Sequence, residues 1–324
     1  MTKISKNVID AIGHTPMIQL HSSVPQNGHK FFAKVEYFNP GGSVKDRIAL
    51  AIIEDAEKRG LLKPGGTIVE ATSGNTGVGL GMVAALKGYK CIFVMPEKIS
   101  EEKRATLRAY GAKVVITPTG LAPDDPNSHY SVCARIVSET PGAYNTNQYH
   151  NPANTEVHYK VTGPEIYEQM NGEIDVFVGG AGTGGTLSGV GKFLREKRPS
   201  AKIVCADPHG SILHDMFYYK EVRSEPKSYL VEGIGEDMMP DNVQFQFYDD
   251  FVQVGDKESM AKTREVARTE GLLIGPSCVA AIKYSESGKL KKPSNIVILF
   301  PDGGRSYLSK VYDDNWMRTN KMMD

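Results

Sequence analysis

The chain is poor in cysteine, with four residues, and has a single tryptophan in 324 residues. Cys91, Cys133, Cys205 and Cys278 are scattered with no C-x-x-C pair. That argues against a disulfide framework and suits free thiols in a reducing, cytoplasmic compartment. Neither sign of charge is in excess, Lys+Arg and Asp+Glu numbering 38 each. The clustered cations that a nucleic-acid backbone requires are therefore not expected, and neither is nucleic acid as a partner. No apolar run approaches the roughly 20 residues that span a bilayer, and the opening MTKISKNVIDAIGHTP lacks an apolar signal core. The eight histidines form no H-E-x-x-H or similar pair, and His209 and His214 stand five apart, so no metal site is expected. A G-x-S-x-G elbow is also missing, which sets aside a serine hydrolase. What is present is 40% hydrophobic and 23% charged residues, an ordinary globular composition on a length that allows two domains.

Short β-branched runs alternate with helix-like runs from about residue 45 onward. TIVEAT at 67–72 leads through Ser-Gly-Asn into the apolar VGLGMVAALKG. CIFVMPE, EEKRATLRAYG and AKVVITPT continue the rhythm as strand, helix, strand. DVFVGG, a helix from Leu187 to Lys197, and KIVCADP repeat it; ESMAKTREVARTEG and NIVILFP close it as helix and strand. Strands apolar along their whole length indicate parallel sheets covered on both faces, which makes the fold class α/β. The Pro/Gly/Asn-rich ground at about 120–154 is the expected domain crossover, and YYKEVRSEPKSYL at 218–230 an exposed connection. The tail DDNWMRTNKMMD is expected to be a surface extension carrying Trp316.

Two glycine-rich turns stand between a strand and a helix. The first runs Thr72-Ser73-Gly74-Asn75-Thr76-Gly77, the second Gly179-Gly180-Ala181-Gly182-Thr183-Gly184-Gly185-Thr186. Glycines allow close backbone approach to a ligand, while the helix that follows aims unpaired N–H groups and its positive dipole end at an anion. Two such turns suggest a ligand set with two anionic groups; tight βα connections are the alternative for either alone. Gly180-x-Gly182-x-x-Gly185 with Asp207 about 20 residues on also fits a dinucleotide fingerprint with its ribose-binding acid. That segment alone favours an NAD-dependent oxidoreductase, but it leaves residues 39–47 unexplained.

Asn39-Pro40-Gly41-Gly42-Ser43-Val44-Lys45-Asp46-Arg47 puts a lysine at the start of the helix-like run DRIALAIIEDAEKRG. Most lysines sit on solvated faces. At a helix N-terminus a cation is electrostatically out of place. The positive dipole end and partial burial both disfavour its charged form, as a Schiff-base amine needs.

NPGGSVKDR, TSGNTGVGL, GTGGT and VEGIG, in this order, resemble the fold-type II pyridoxal-phosphate enzymes of the cysteine synthase/cystathionine β-synthase family. The resemblance runs from IGHTPMIQL to PDGGRSYLSKVYDDNWM. MPEKISEEK, NQYHNPAN, DPHGSIL and YLVEGIGEDMMP are more similar to the cystathionine β-synthase catalytic core than to cysteine synthases. It implies two open, twisted, mostly parallel sheets flanked by helices, as in the tryptophan synthase β-like fold. Residues 1–39 and 147–324 would form a large cofactor-binding domain and residues 40–146 a small substrate-binding domain. The cofactor implied is pyridoxal 5'-phosphate, and the assembly implied is a homodimer.

By the same resemblance, Lys45 is the lysine bonded to the cofactor and the proton carrier at the substrate Cα. Asn75 bonds the phenolic oxygen, and Gly182, Thr183, Gly184, Gly185 and Thr186 hold the phosphate. Ser277 faces the pyridine nitrogen, where a neutral hydroxyl makes the ring a weaker electron sink and favours β-elimination through an α-aminoacrylate over transamination. Pro276 departs from the usual glycine-serine run there and fixes φ. Read from the residue itself, Cys278 offers a nucleophile or a small buried hydrophobe, and the second is the plainer reading. Thr72, Ser73, Thr76 and Gln148 bind the substrate α-carboxylate.

The reaction implied is β-replacement on serine or O-acetylserine, with homocysteine as the thiol and cystathionine as product; cysteine synthase chemistry with sulfide is the alternative. Glu232, with Gly233 beside it, stands where cysteine synthases usually carry glutamine, and would pair with the homocysteine amino group. Tyr149, where phenylalanine is usual, points the same way; a surface glutamate and a core aromatic are the plainer readings. No Cys-Pro-x-Cys-His segment precedes the core, so haem is not expected, and no paired regulatory domains follow it, so adenosylmethionine activation is not expected either.

Overall fold

The computed structural model describes residues 4–324 other than 73, 98, 123, 226, 277–279 and 291. The strands are β1 (Met17–Leu20), β2 (Lys30–Val35), β3 (Thr67–Ala71), β4 (Lys90–Pro96), β5 (Lys113–Thr117), β6 (Ala143–Asn145), β7 (Val176–Gly180), β8 (Lys202–Pro208), β9 (Asp250–Val254) and β10 (Asn295–Phe300). The first helices are α1 (Lys45–Lys58), α2 (Asn75–Lys87), α3 (Glu101–Ala109) and α4 (His129–Glu139). After them come α5 (Pro152–Val157), α6 (Gly163–Gln169), α7 (Gly185–Lys197), α8 (Leu213–Tyr219), α9 (Asp256–Thr269), α10 (Ala280–Glu286) and α11 (Asp314–Thr319). None of the described helices is long and apolar enough to cross a membrane.

The chain falls into two units: residues up to Ile12 with Asn39–Asn154, and Gly13–Phe38 with Thr155–Asp324. The first holds a four-stranded, all-parallel sheet in the order β5-β4-β3-β6. Val69 and Phe93 are wholly buried in it, as covering on both faces requires. α1 shows why a helix forms there: Ile48, Ala49, Ile52, Ile53 and Ala56 recur at three- and four-residue spacing and are all buried. The 147–154 segment groups with this unit, tied by the Asn154 side chain donating to the Gln148 carbonyl at 2.9 Å. Residues up to Ile12 group here too, because Ile9 and Ile12 pack on the cluster around Ile53, Leu80 and Phe93.

The second unit holds a six-stranded sheet, β1-β2-β10-β7-β8-β9. Only the edge strand β1 is antiparallel, to β2. β7 runs into the second glycine turn, and α7 begins at Gly185, two residues earlier than its apolar pattern suggests. The helix start therefore lies inside the glycine turn itself.

The tail is a correction to the sequence reading. It folds back rather than extending: Asp313 caps α11 by accepting the Trp316 N–H at 2.6 Å. Met317 is buried in a cluster with Val231, Ile234, Met260, Tyr307 and Val311. Trp316, Met317, Met322 and Met323 form an apolar face among polar neighbours, and its burial outweighs the segment's overall polarity.

Candidate active site

In the first unit the candidate residues gather at the starts of two helices. Lys45 is the first residue of α1, half-buried, and its N–H donates to Ser43 Oγ at 3.2 Å. α1 lies against α2 through Gly79, where a Cβ would stand 2.9 Å from Ala49 Cβ and 3.1 Å from the Lys45 carbonyl oxygen. Only a residue without a side chain permits that approach, which holds the start of α1 beside α2. Gly79→Val is expected to cost about 1–3 kcal/mol by overpacking, read as a lower thermal midpoint of the apoprotein.

The first glycine turn closes at Gly74, whose φ of 139° is one that side-chain-bearing residues rarely adopt. The Gly74 N–H donates to Thr72 Oγ1 at 3.1 Å. Asn75 opens α2, and its neighbour Thr76 donates through its hydroxyl to Gln148 Oε1 at 2.6 Å. Gln148 Nε2 reaches the Ala71 carbonyl at 3.4 Å. The structure thus brings Thr72, Thr76 and Gln148 together around one helix start, where backbone N–H groups and the helix dipole favour negative charge. Tyr149 is half-buried and packs edge-on to Tyr130 with centroids 6.4 Å apart. Ser73 lies outside the described residues.

Two residues beside this turn escaped the sequence reading. Glu70, 3% exposed on β3, accepts bonds from the Thr146 hydroxyl and from the N–H groups of Asn147 and Gln148. Burial pushes its carboxyl up to about 7, against the opposing pull of those donors. Its signal was a carboxylate inside an apolar strand. Lys103, in the first turn of α3, is buried, with its stem against Gly74, where a Cβ would stand 2.9 Å from Lys103 Cδ. A cation in a first helical turn is the signal that singled out Lys45, and it applied here as well.

In the second unit Gly184 caps α7 with φ 84°. A Cβ there would stand 2.4 Å from Val243 Cγ2, and one on Gly182 would stand 2.8 Å from the Gly233 carbonyl oxygen. Both glycines therefore let neighbouring backbone, at 233 and at 243, pack directly against the turn that carries Thr183 and Thr186. The 232–235 turn lies directly on it: the Gly235 N–H donates to the Ala181 carbonyl at 2.8 Å, and a Cβ on Gly180 would meet Ile234 Cγ2 at 2.0 Å. Glu232 at the head of that turn is ion-paired, accepting from Lys310 Nζ at 2.5 Å, with a quarter of each side chain exposed.

Ser277 and Cys278 lie outside the described residues. The backbone just before them is held by Asp302, whose carbonyl accepts the Gly275 N–H at 3.1 Å and whose carboxylate accepts the Tyr307 hydroxyl at 2.6 Å. Asp207, the acid of the dinucleotide reading, is fully buried at the end of β8. Its carboxylate accepts the His214 N–H at 3.0 Å at the start of α8, a capping use that leaves it inside the protein rather than facing a ribose.

Within the first unit, an amine at the start of α1 lies beside a second helix start; within the second, a glycine-and-threonine turn opens α7. Residues 8–302 match the family described as pyridoxal-phosphate dependent enzyme, and the chain belongs to that family. Its relatives include the cystathionine β-synthases of Apis mellifera, 46% identical over 98% of this chain, and Rattus norvegicus, 44% identical over 97%. The chain spans 63% of the length of the first and 56% of the second. Among solved structures it is similar to a hydrogen sulfide-producing enzyme from Fusobacterium nucleatum, with TM-score 0.85 and 34% identity over 94% of this chain and 99% of that one. It is also similar to O-ureido-L-serine synthase, with TM-score 0.87 and 34% identity over 98% and 100% of the two chains. The family is described by pyridoxal phosphate rather than by a dinucleotide, which removes the support for the NAD-dependent reading.

Proposed function

We propose that the protein catalyses β-replacement on serine or O-acetylserine, with homocysteine as the incoming thiol and cystathionine as product. The observation that carries this reading is the pairing of Lys45 at the α1 start with the Thr72–Thr76–Gln148 anion site at the α2 start. An amine and a carboxylate site held to one another by the Gly79 contact suit an α-amino acid.

When bound, pyridoxal phosphate supplies the electron sink that loosens the bond to the β-substituent. Lys45 Nζ holds the cofactor covalently and moves the proton at the substrate Cα. Thr72, Ser73, Thr76 and Gln148 fix the α-carboxylate and so orient that Cα–H bond. Residues 182–186 would hold the phosphate, Asn75 would bond the phenolic oxygen, and Ser277 would serve the ring nitrogen. Glu232, with Gly233 and Tyr149, selects the thiol by attracting the homocysteine ammonium.

Lys310 favours a second reading. Its ion pair with Glu232 already occupies one carboxylate oxygen, which weakens the attraction for an ammonium and suits sulfide, a thiol with no charged amine. The assay that separates them offers serine or O-acetylserine with homocysteine, cysteine or sulfide and identifies each product. Glu232→Gln is expected to lower kcat/KM with homocysteine roughly tenfold more than with sulfide, the scale of one charge-assisted hydrogen bond. Equal losses with both thiols would remove Glu232 from thiol selection.

A further inference from the structure

His158 is 1% exposed and sits where the chain leaves α5 in a single π-helical turn, His158–Thr162. The Gly163 N–H closes that turn onto the His158 carbonyl. Such turns are rare and concentrate at functional sites. The turn points the imidazole at α7: Nε2 lies 3.1 Å from Thr186 Oγ1, and Nδ1 lies 2.9 Å from Thr162 Oγ1. Gly189 makes this approach possible, since a Cβ there would stand 2.4 Å from the Thr155 carbonyl and 2.6 Å from His158 Cβ. Thr155 is fixed in its turn by donating to Asn242 Oδ1 at 2.9 Å.

We propose that His158 is a positioning residue for the anion cradle, donating from Nε2–H to Thr186 Oγ1 so that the Thr186 hydroxyl proton is directed at the phosphate. A phosphate dianion has only acceptors, so a hydroxyl that serves it must give its own proton. Thr186 can do so while its oxygen accepts from a neighbour, and His158 is the neighbour placed to donate. With Nε2 protonated, Nδ1 of the neutral ring accepts from the Thr162 hydroxyl, and the bonds run in one direction: Thr162 to His158 to Thr186 to phosphate. Aligned bonds of this kind strengthen one another. The inference rests on the reading of 182–186 as the phosphate cradle.

The test titrates the apoprotein with pyridoxal phosphate and, separately, with pyridoxal, which lacks the phosphate. Thr186→Val is expected to weaken pyridoxal phosphate about tenfold and pyridoxal less than about twofold, the loss of one charge-assisted bond. His158→Leu is expected to do the same, and the double variant to lose no more than Thr186→Val alone. Gln at 158 carries an N–H₂ close to the place of Nε2 and restores the affinity ratio; Asn is too short and does not. Should His158→Leu fail to fold, the His158→Gln and His158→Asn pair carries the same comparison. Equal weakening of both ligands by His158→Leu, additive losses in the double variant, or an unchanged ratio in His158→Asn would each overturn the proposal. A Thr186→Val variant that leaves both affinities unchanged instead overturns the phosphate reading beneath it.

Discussion

Alanine at position 45 is expected to remove turnover, by roughly 10³-fold or more, while the apoprotein stays folded. In the proposed reaction Lys45 would both hold the cofactor and carry the Cα proton, and proton transfer by a positioned group alone contributes about 10²–10⁴-fold. Arginine cannot substitute, because its guanidinium does not give up its proton near neutral pH. The side chain leaves from the first position of α1, whose helix is secured by Ile48, Ile52 and Ile53, so its loss leaves the packing intact. Product formation and the visible absorbance of gel-filtered protein are the measurements. A Lys45→Ala variant that keeps a tenth of wild-type turnover would remove the lysine from the chemistry.

The second large effect is expected at Glu70. Burial raises its carboxyl from the usual 4.5 to about 7 in the folded protein. The folded state therefore binds the proton more tightly than the unfolded chain does. Stability from this group is fully present below about pH 4.5 and is lost as pH rises through 7. The total is on the order of 3 kcal/mol, a shift of that size converted at 1.36 kcal/mol for each pH unit. Asp207, raised to about 6 by burial, contributes in the same sense over a lower window. Glu70→Gln replaces the titrating acid with a neutral amide whose oxygen can face the N–H groups of Asn147 and Gln148 and whose N–H₂ can face Thr146. Its stability is expected to be flatter between pH 5 and 8 than that of the wild type, measured from urea midpoints at each pH. Glu70→Ala leaves those donors buried without an acceptor, at about 1–3 kcal/mol each. It also frees Gln148 from its support, so KM for the amino acid substrate should rise more than kcat falls. An unchanged pH slope in Glu70→Gln would sink the assignment.

The two sites differ in how far they could be read in one dimension. Lys45 announced itself because a cation at a helix start violates a local electrostatic preference, and both the helix and the lysine are local facts. The glycine turns are local too: each is a strand, a glycine cluster and a helix in unbroken sequence. Thr76 and Gln148 are different. They stand 72 residues apart, and their hydrogen bond exists only because β6 pairs beside β3 and delivers the 146–148 segment to the start of α2. The family resemblance named Gln148; no spacing rule could.

His158 shows the same limit more sharply. The histidines offered no paired spacing, and the π turn that aims this ring at Thr186 leaves no mark that a period of 3.6 reveals. The ion pair of Glu232 was hidden as well, since Lys310 lies 78 residues away and reaches it only through tertiary folding. The tail misled for the opposite reason. Its average polarity was legible, but the one apolar face that buries Met317 needed a partner surface to become visible.

Alternation of apolar strands and helices, the two anion-seeking glycine turns and the misplaced lysine are determined by the sequence itself. Each depends on residues within one turn or one strand of each other, where backbone geometry and the helix dipole act directly. Which side chains support those groups was decided only in three dimensions: Glu70 beneath Gln148, Lys310 on Glu232, His158 behind Thr186. These contacts join segments whose separation along the chain carries no energy of its own. They appear only when burial within each unit brings its segments together and leaves each buried polar group needing a partner.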